Sequence, residues 1–157
     1  MLRWHERAFG ELSVSELYAI IELRERVFVV EQTCVYLDAD GLDPGCRHLW
    51  AEASQAPAAG AAPEVGVAGG LRAYLRIVPA GAKYAEVSLG RIVTAPEARG
   101  TGLGRTLVGR GLAAVGAVPV RISAQAHLER FYAGFGFRCA SEPYLEDGIP
   151  HVEMLRA

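Results

Sequence analysis

The sequence predicts an α/β domain built on one mixed sheet, and three observations carry that reading. Hydrophobic periodicity switches between strand-like and helix-like in the order strand, helix, three strands, helix, strand, helix, two strands. A strand-like run from Glu86 to Thr94 leads into three glycines at every second position, Gly100, Gly102 and Gly104, and a helix-like run follows at once. At 157 residues, 51% hydrophobic and 22% charged, the chain suits a single domain over 1–157 with a full core, and no internal repeat marks a second one.

Leu2 to Glu6 is short and mixed, as an edge strand is. Ser13-Val14-Ser15-Glu16 is a capping box, with Leu12 placed to staple onto Leu17, so a helix starts there. Leu17, Ile21, Arg24 and Phe28 follow at helical spacing with Ile20 and Val27 beside them, and this apolar stripe must cover a sheet face. From Thr33 to Arg47 turn residues dominate, and Asp38, Asp40 and Asp43 suit hydrogen bonds to their own turns. A calcium loop fails there for want of a ligand at Leu42 and a closing glutamate. His48 to Ala53 and Leu71 to Val78 read as paired strands, with Leu71, Ala73, Leu75 and Ile77 alternating against Arg72, Tyr74 and Arg76. The Ala-, Gly- and Pro-rich stretch between them, at about 53–70, reads as a flexible hairpin loop.

Within Glu86 to Thr94, alternation puts Val87, Leu89, Arg91 and Val93 on one face unless a bulge intervenes. Leu103 to Val115 is a helix with Leu103, Leu107, Val108, Leu112 and Val115 inward, weakened at Gly109, Gly111 and Gly116 by roughly 1 kcal/mol each relative to alanine. Val118 to Ala124 is a strand, Leu128 to Gly134 a short helix, and Phe137 to Glu142 and Val152 to Leu155 are the last strands.

The formal net charge of -2, with no run of Lys or Arg, argues against nucleic acid as a partner, and Lys83 is the only lysine. Cys34, Cys46 and Cys139 are odd in number and lack Cys-x-x-Cys pairing, which favours free thiols in a reducing compartment. Cys34, Cys46 and His48 make a poor ligand set, and no metal is expected. No signal-like apolar region and no apolar run of membrane length occurs, so a soluble, cytoplasmic protein with no membrane partner is expected.

A glycine-rich turn that opens a helix aims unpaired backbone N–H groups and the positive end of the helix dipole at one point, which suits a phosphate. A Walker loop fails here, because Arg105 follows Gly104 and Arg99 stands five residues before it. A dinucleotide fingerprint fails too, since Arg105 occupies the third glycine position and Val120 to Gln125 carries no carboxylate. What is left, Arg-x-x-Gly-x-Gly between strand and helix, resembles the GNAT superfamily of acyl-CoA-dependent N-acetyltransferases. Phe131-Tyr132-Ala133-Gly134-Phe135-Gly136-Phe137 is similar to the helix and strand that follow in that family, and Leu23 to Gln32 to its first helix. With Asp38-x-Asp40-Gly41, Ala124 to Leu128 and Glu146 to His151, the resemblance is to the ElaA-like branch and spans nearly the whole chain.

The resemblance implies a mostly antiparallel twisted sheet of about seven strands with helices on both faces. Two central strands, ending near Thr94 and Gln125, would run parallel and splay around the acyl-CoA arm. It implies acetyl-CoA as cosubstrate and a small-molecule or peptide amine as acceptor, and leaves a homodimer open. Arg99, Gly100, Thr101, Gly102, Leu103, Gly104 and Arg105 would hold the pyrophosphate, with Ile92, Val93, Thr94 and Gln125 along the arm and acyl carbonyl. Tyr132 matches the family tyrosine that protonates the departing thiolate. Glu86, thirteen residues before Arg99, stands where some members place a catalytic glutamate, with His127, His151 and Glu146 as rivals for the base. Glu31, Asp38, Asp40, Arg91, Glu146 and His151 are expected around the acceptor, Arg91 more readily in an ion pair than free. The acidic members would form a mouth that favours cationic amines. The alternative reading is a non-catalytic acyl-CoA sensor that binds a partner protein; Tyr132 and the several bases favour the enzyme.

Overall fold

The computed structural model describes residues 1–54 and 70–157. Among the described residues eight strands form one sheet: β1 (Leu2–Ala8), β2 (Arg47–Ala53), β3 (Leu71–Val78), β4 (Val87–Thr94), β5 (Val120–Gln125), β6 (Arg138–Cys139), β7 (Tyr144–Glu146) and β8 (Ile149–Arg156). Their order is β1-β2-β3-β4-β5-β8-β6, with β7 also on β8, and β4 with β5 is the one parallel pair among the described strands. The expected short edge strand is β1, two residues longer than its pattern suggests. Most of the loop expected at about 53–70 lies outside the described residues.

Helix α1 (Val14–Arg24) starts as its capping box dictates: the Glu16 N–H donates to Ser13 Oγ at 3.2 Å, and the Ser13 N–H donates to Glu16 Oε2 at 2.8 Å. It then widens into a π-helical segment, Glu25–Glu31, in which Val27 is the one buried residue. Ile20, Leu23, Arg24 and Val27 are buried, whereas Leu17, Ile21 and Phe28 are only half-buried, so the stripe read at regular helical spacing is rotated.

Helix α2 (Leu103–Val115) has the bounds its pattern predicts and covers the opposite sheet face. Tyr74 faces α1, its ring 5.8 Å from the Arg24 guanidinium, while Leu75 packs under α2. Along β3 every residue except Arg72 is buried, because helices cover both faces. Two of the three glycines assigned a weakening role in α2 have other roles. Gly116 lies past the helix end at φ +75°, the left-handed position that terminates helices. Gly111 sits where a Cβ would come within 2.9 Å of Leu75 and 3.3 Å of Leu89. We therefore expect Gly111→Ala to lower stability by about 1 kcal/mol, overpacking outweighing the gain in helix propensity. Gly109→Ala, with nothing within 4 Å of its Cβ, should raise it by about the same amount. Urea midpoints of the two variants moving in the same direction would refute this packing argument.

Two irregularities shape the centre of the sheet. β4 and β5 pair only at Val87 with Val120 and Ser88 with Arg121, then part. On its other side, β4 pairs Gly90 with Arg76 and Val93 with Tyr74, so Arg91 and Ile92 together stand against Leu75 alone. This is a β-bulge, with Arg91 at φ +50°. The extra residue reverses the alternation: Leu89 and Val93, expected on one face, lie on opposite faces.

The carboxyl-terminal third departs furthest from its pattern. The strand expected over Phe137 to Glu142 is reduced to β6, and β7 was not expected at all. Asp147 at φ +51° and Gly148 at φ +75° form a two-residue hairpin turn between β7 and β8, so eight strands stand where about seven were expected. The short helix α3 (Glu129–Ala133) follows β5 through one 3₁₀ turn and brings Tyr132 and Phe131 under the splayed strands.

Candidate active site

The turn between β4 and α2 is built for an anion. Gly100 and Gly102 adopt φ of +76° and +81°, the left-handed region that side chains disfavour, and the chain there reverses into α2. The Thr106 N–H donates to Gly102 O at 3.2 Å, but the N–H groups of Leu103, Gly104 and Arg105 have no backbone partner among the described residues. No acidic side chain occupies the first turn of α2. These groups open into a hollow of about 300 Å³ lined by Thr94, Arg99, Gly100, Gly102, Gly104 and Arg105. Arg105 stacks on Phe131 and Phe135 at 5.7 and 5.5 Å. Arg99 is paired with Glu31 at 2.7 and 3.0 Å, and both line the neighbouring cleft. An exposed pair of this kind contributes little, so Arg99 is free to exchange its partner for a phosphate.

Next to this turn, the parting of β4 from β5 opens a cleft of about 890 Å³. Ile92, Val93 and Thr94 form one wall and Gln125 the other, where its amide donates to Gln32 Oε1 at 3.1 Å and ties β5 to the end of the π-helical segment. Tyr132 reaches the cleft from below; it is 6% exposed and packs edge-on against Phe131 and Phe137. Burial alone pushes its phenol up to about 12, so it keeps its proton across the physiological range.

The aspartates of the 33–46 loop do more than bond to their own turns. Asp38 accepts from Arg24 Nε at 2.8 Å and Asp43 from Arg24 at 2.9 Å, while Arg76 donates to Asp40 at 2.7 Å and to Asp43 at 2.9 Å. Arg91 Nη2 donates to the Asp38 carbonyl at 3.1 Å. Its Nε also stands 2.9 Å from Asp38 Oδ1, near enough for charge attraction although the N–H does not aim at that oxygen. Three aspartates thus balance three arginines, Arg24 and Arg76 almost wholly buried, and the network ties the loop to the bulge of β4. Only Asp40 also accepts from its own turn, from the Leu42 N–H at 3.1 Å. Asp38, buried at 6% exposure, is absent from the cleft wall; Asp40 and Arg91 are on it. The expected acidic mouth is corrected accordingly: among the described residues, the cleft is lined by four carboxylates (Glu31, Asp40, Glu146, Asp147) and four cations (Arg76, Lys83, Arg91, Arg99).

This network sets an acid limit. Burial raises the Asp40 and Asp43 carboxyls, but hydrogen bonds and charge from Arg76 and Arg24 outweigh it and hold both below the ordinary 3.8. His48, held between Tyr74 Oη and the Asp43 carbonyl at 2.8 and 3.0 Å, is lowered from the ordinary 6.5, chiefly by burial. In each case the folded group binds its proton later than the unfolded one, so stability is present above the ordinary value and is lost as pH falls through the folded value. Denaturant midpoints should fall in two steps, one beginning near 6.5 and removed in His48→Gln, the other beginning near 3.8. A flat profile through both windows would refute the assignment.

Glu86, the expected base, stands off the cleft. It is gripped by Arg121 through two bonds of 3.0 Å, and this pairing holds its carboxyl below the ordinary range. A carboxylate so held is a weak proton acceptor, and Arg121 takes Glu153 as well. Glu146 and His151 do reach the cleft, His151 Nε2 lying 3.5 Å from Glu146 Oε2. A carbonyl only accepts, so the 2.7 Å contact of His151 Nδ1 with Ile149 O puts a proton on Nδ1 and leaves Nε2 as the basic nitrogen facing the cleft. His127 is also on the wall, exposed at the start of the last helical turn. Lys83, Cys34 and Tyr36 line the cleft without having been singled out for it; for Lys83 its uniqueness was the available signal.

Among the described residues, no group of three or more His, Cys, Asp or Glu side chains is placed to hold a metal ion, and no helix is long and apolar enough to cross a membrane. All three cysteines are unpaired, Cys34 and Cys46 buried and Cys139 exposed.

Comparison with known proteins gives a consistent result. The profile of the Acetyltransferase (GNAT) domain matches residues 71–156. ElaA of Escherichia coli is 38% identical over 162 residues, covering 99% of this chain and 97% of its own. A UPF0039 protein of Synechocystis is 37% identical over 158 residues, covering 98% and 94%. Among solved structures, an acyl-CoA N-acyltransferase from Pseudomonas aeruginosa superposes with a TM-score of 0.87 at 40% identity. The ElaA structure superposes with a TM-score of 0.85 at 37% identity, and in both cases the whole of each chain is covered.

Proposed function

Because this chain belongs to the GNAT acetyltransferase family, in its ElaA-like branch, we propose that it moves an acetyl group from acetyl-CoA to a primary amine by direct attack within the cleft. The observation that carries the reading is the parting of β4 from β5 beside a helix start whose N–H groups are unpaired. Those N–H groups and Arg99 hold the pyrophosphate, and the strand backbone at Ile92, Val93 and Thr94 receives the arm. Acetyl-CoA supplies an activated acyl carbon with a thiolate as leaving group. A backbone N–H near Val93 stabilises charge on the acyl oxygen. Tyr132 gives its proton to the thiolate, and His151, oriented by its Nδ1–H bond to the Ile149 carbonyl, takes the proton that the attacking amine must lose. Glu31, Asp40 and Arg91 shape the mouth, with Arg91 held on its bulge by Asp38.

The balance of four carboxylates and four cations on the wall favours an acceptor of mixed charge over a polycation. The test is a panel of primary amines, simple, cationic and carboxylate-bearing, assayed for release of free thiol from acetyl-CoA. Release with at least one amine supports the enzyme. Binding of acetyl-CoA with no release across the panel would leave a non-catalytic sensor.

A further inference from the structure

We propose that Lys83 is itself an acyl acceptor, so that the protein acetylates this residue within its own cleft; the proposal rests on the acetyl-CoA reading above. Lys83 is the only lysine in 157 residues, the other cationic side chains being arginines. A guanidinium stays protonated and is a poor nucleophile, whereas a lysine amine gives up its proton readily when its surroundings disfavour charge. The chain thus places its one acylatable side-chain amine on the wall that also holds Arg91, Ile92, Val93 and Tyr132.

The position is built. Lys83 stands in the turn between β3 and β4, which is closed by the Ala82 N–H donating to Pro79 O at 3.2 Å and the Gly81 N–H donating to Tyr84 O at 2.7 Å. With that backbone fixed, the flexible four-carbon stem alone carries the amine into the cleft. Its Nζ lies 5.2 Å from the Tyr84 ring centroid and makes no ion pair among the described residues. Glu146, the carboxylate that acts most strongly on it, accepts a hydrogen bond from Ser123 Oγ at 3.3 Å.

An amine attacks only after losing its proton. The residue as a whole is exposed, yet its amine is crowded, and burial pulls it below the ordinary lysine value; Arg91 and Arg76 add to this, while Glu146 and Asp40 oppose it. The neutral fraction at neutral pH is larger than for a free lysine. In the reaction, a bond forms between Nζ and the acyl carbon, and the carbon–sulfur bond breaks. The thiolate takes the Tyr132 proton, and the proton shed by the new amide nitrogen passes to solvent, which restores the phenol. The products are N-acetylated Lys83 and free CoA, and no other reactant is needed.

The experiment is incubation of the purified protein with acetyl-CoA and no added amine, followed by digestion and mass mapping. One acetyl group should appear on Lys83, with a first-order rate constant independent of protein concentration, as an intramolecular reaction requires. Lys83→Arg should gain none at that position, and Gly102→Glu should acetylate Lys83 at least about tenfold more slowly because the donor is no longer held. Absence of acetyl-Lys83 in protein whose melting temperature acetyl-CoA raises would overturn the proposal and leave the enzyme reading standing. Absence together with no melting shift would overturn both. A rate that grows in proportion to protein concentration, or that Gly102→Glu leaves unchanged, would make the modification intermolecular or uncatalysed and would also overturn it.

Discussion

Gly102→Glu is expected to abolish the thermal stabilisation that acetyl-CoA confers. A ligand that binds only the folded state stabilises it by about 2.7 kcal/mol at a hundredfold excess over Kd. For a chain of this size that is a rise in melting temperature of about 5–10 °C. Gly102 is the residue from which α2 starts, and the next three N–H groups face the hollow unpaired. A carboxylate at this point would bond to those N–H groups and sit favourably on the helix dipole, so it competes with the pyrophosphate in the very place the anion needs. The backbone adds a separate cost, because φ of +81° strains any side-chain-bearing residue by about 1–2 kcal/mol. Gly102→Ala separates the two effects: it carries the same strain, has nothing within 4 Å of its Cβ, and brings no charge. It should melt lower than wild type and still respond to acetyl-CoA. An unchanged melting shift in Gly102→Glu would remove the anion site from this turn.

How much of this was legible in the sequence depends on the range over which each feature is encoded. The glycine turn and α2 were readable because the signal is local: three glycines, then apolar residues at helical spacing, set the start and end of the helix. The capping box at Ser13 was readable for the same reason. Glu86 was misread because its partner, Arg121, is 35 positions away and becomes its neighbour only where β4 and β5 pair. Asp38 was misread likewise, since the arginines that bind it come from α1 and β4. No local pattern announces an ion pair across a sheet.

The two geometric surprises differ in kind. The π-helical widening after Arg24 and the bulge at Arg91 each add a residue to a regular repeat, and a pattern read at fixed period cannot register an inserted residue. What holds Arg91 at φ +50° is tertiary: its guanidinium is bound by the Asp38 carbonyl and attracted to the Asp38 and Asp40 carboxylates. By contrast, β7 was encoded locally. Asp147-Gly148 between Tyr144-Leu145-Glu146 and Ile149-Pro150-His151 is a two-residue hairpin signal, and reading Glu146 to His151 only as a segment of family resemblance hid it.

Tyr132→Phe is expected to lower turnover by about 10²-fold, the lower end of what a general acid contributes, because a thiolate leaves more easily than an alkoxide or amine. The substitution is a clean one. Among the described residues only burial perturbs the Tyr132 phenol, with no hydrogen bond or charge acting on it, so removing the hydroxyl orphans no partner there. The ring keeps its edge-on contacts with Phe131 at 5.1 Å and Phe137 at 6.0 Å, so packing is retained. The melting shift with acetyl-CoA should stay within that of a few-fold change in Kd, since proton donation acts in the transition state and not on the bound donor. The pH profile offers a second readout. With its pKa near 12, the phenol stays protonated at any pH where the enzyme is folded and active, so no descending limb at neutral or mildly alkaline pH belongs to it. The ascending limb belongs to deprotonation of the amine and its base, and should persist in the variant at reduced height. Equal turnover of wild type and variant would assign protonation of the thiolate to water and leave Tyr132 a packing residue of α3.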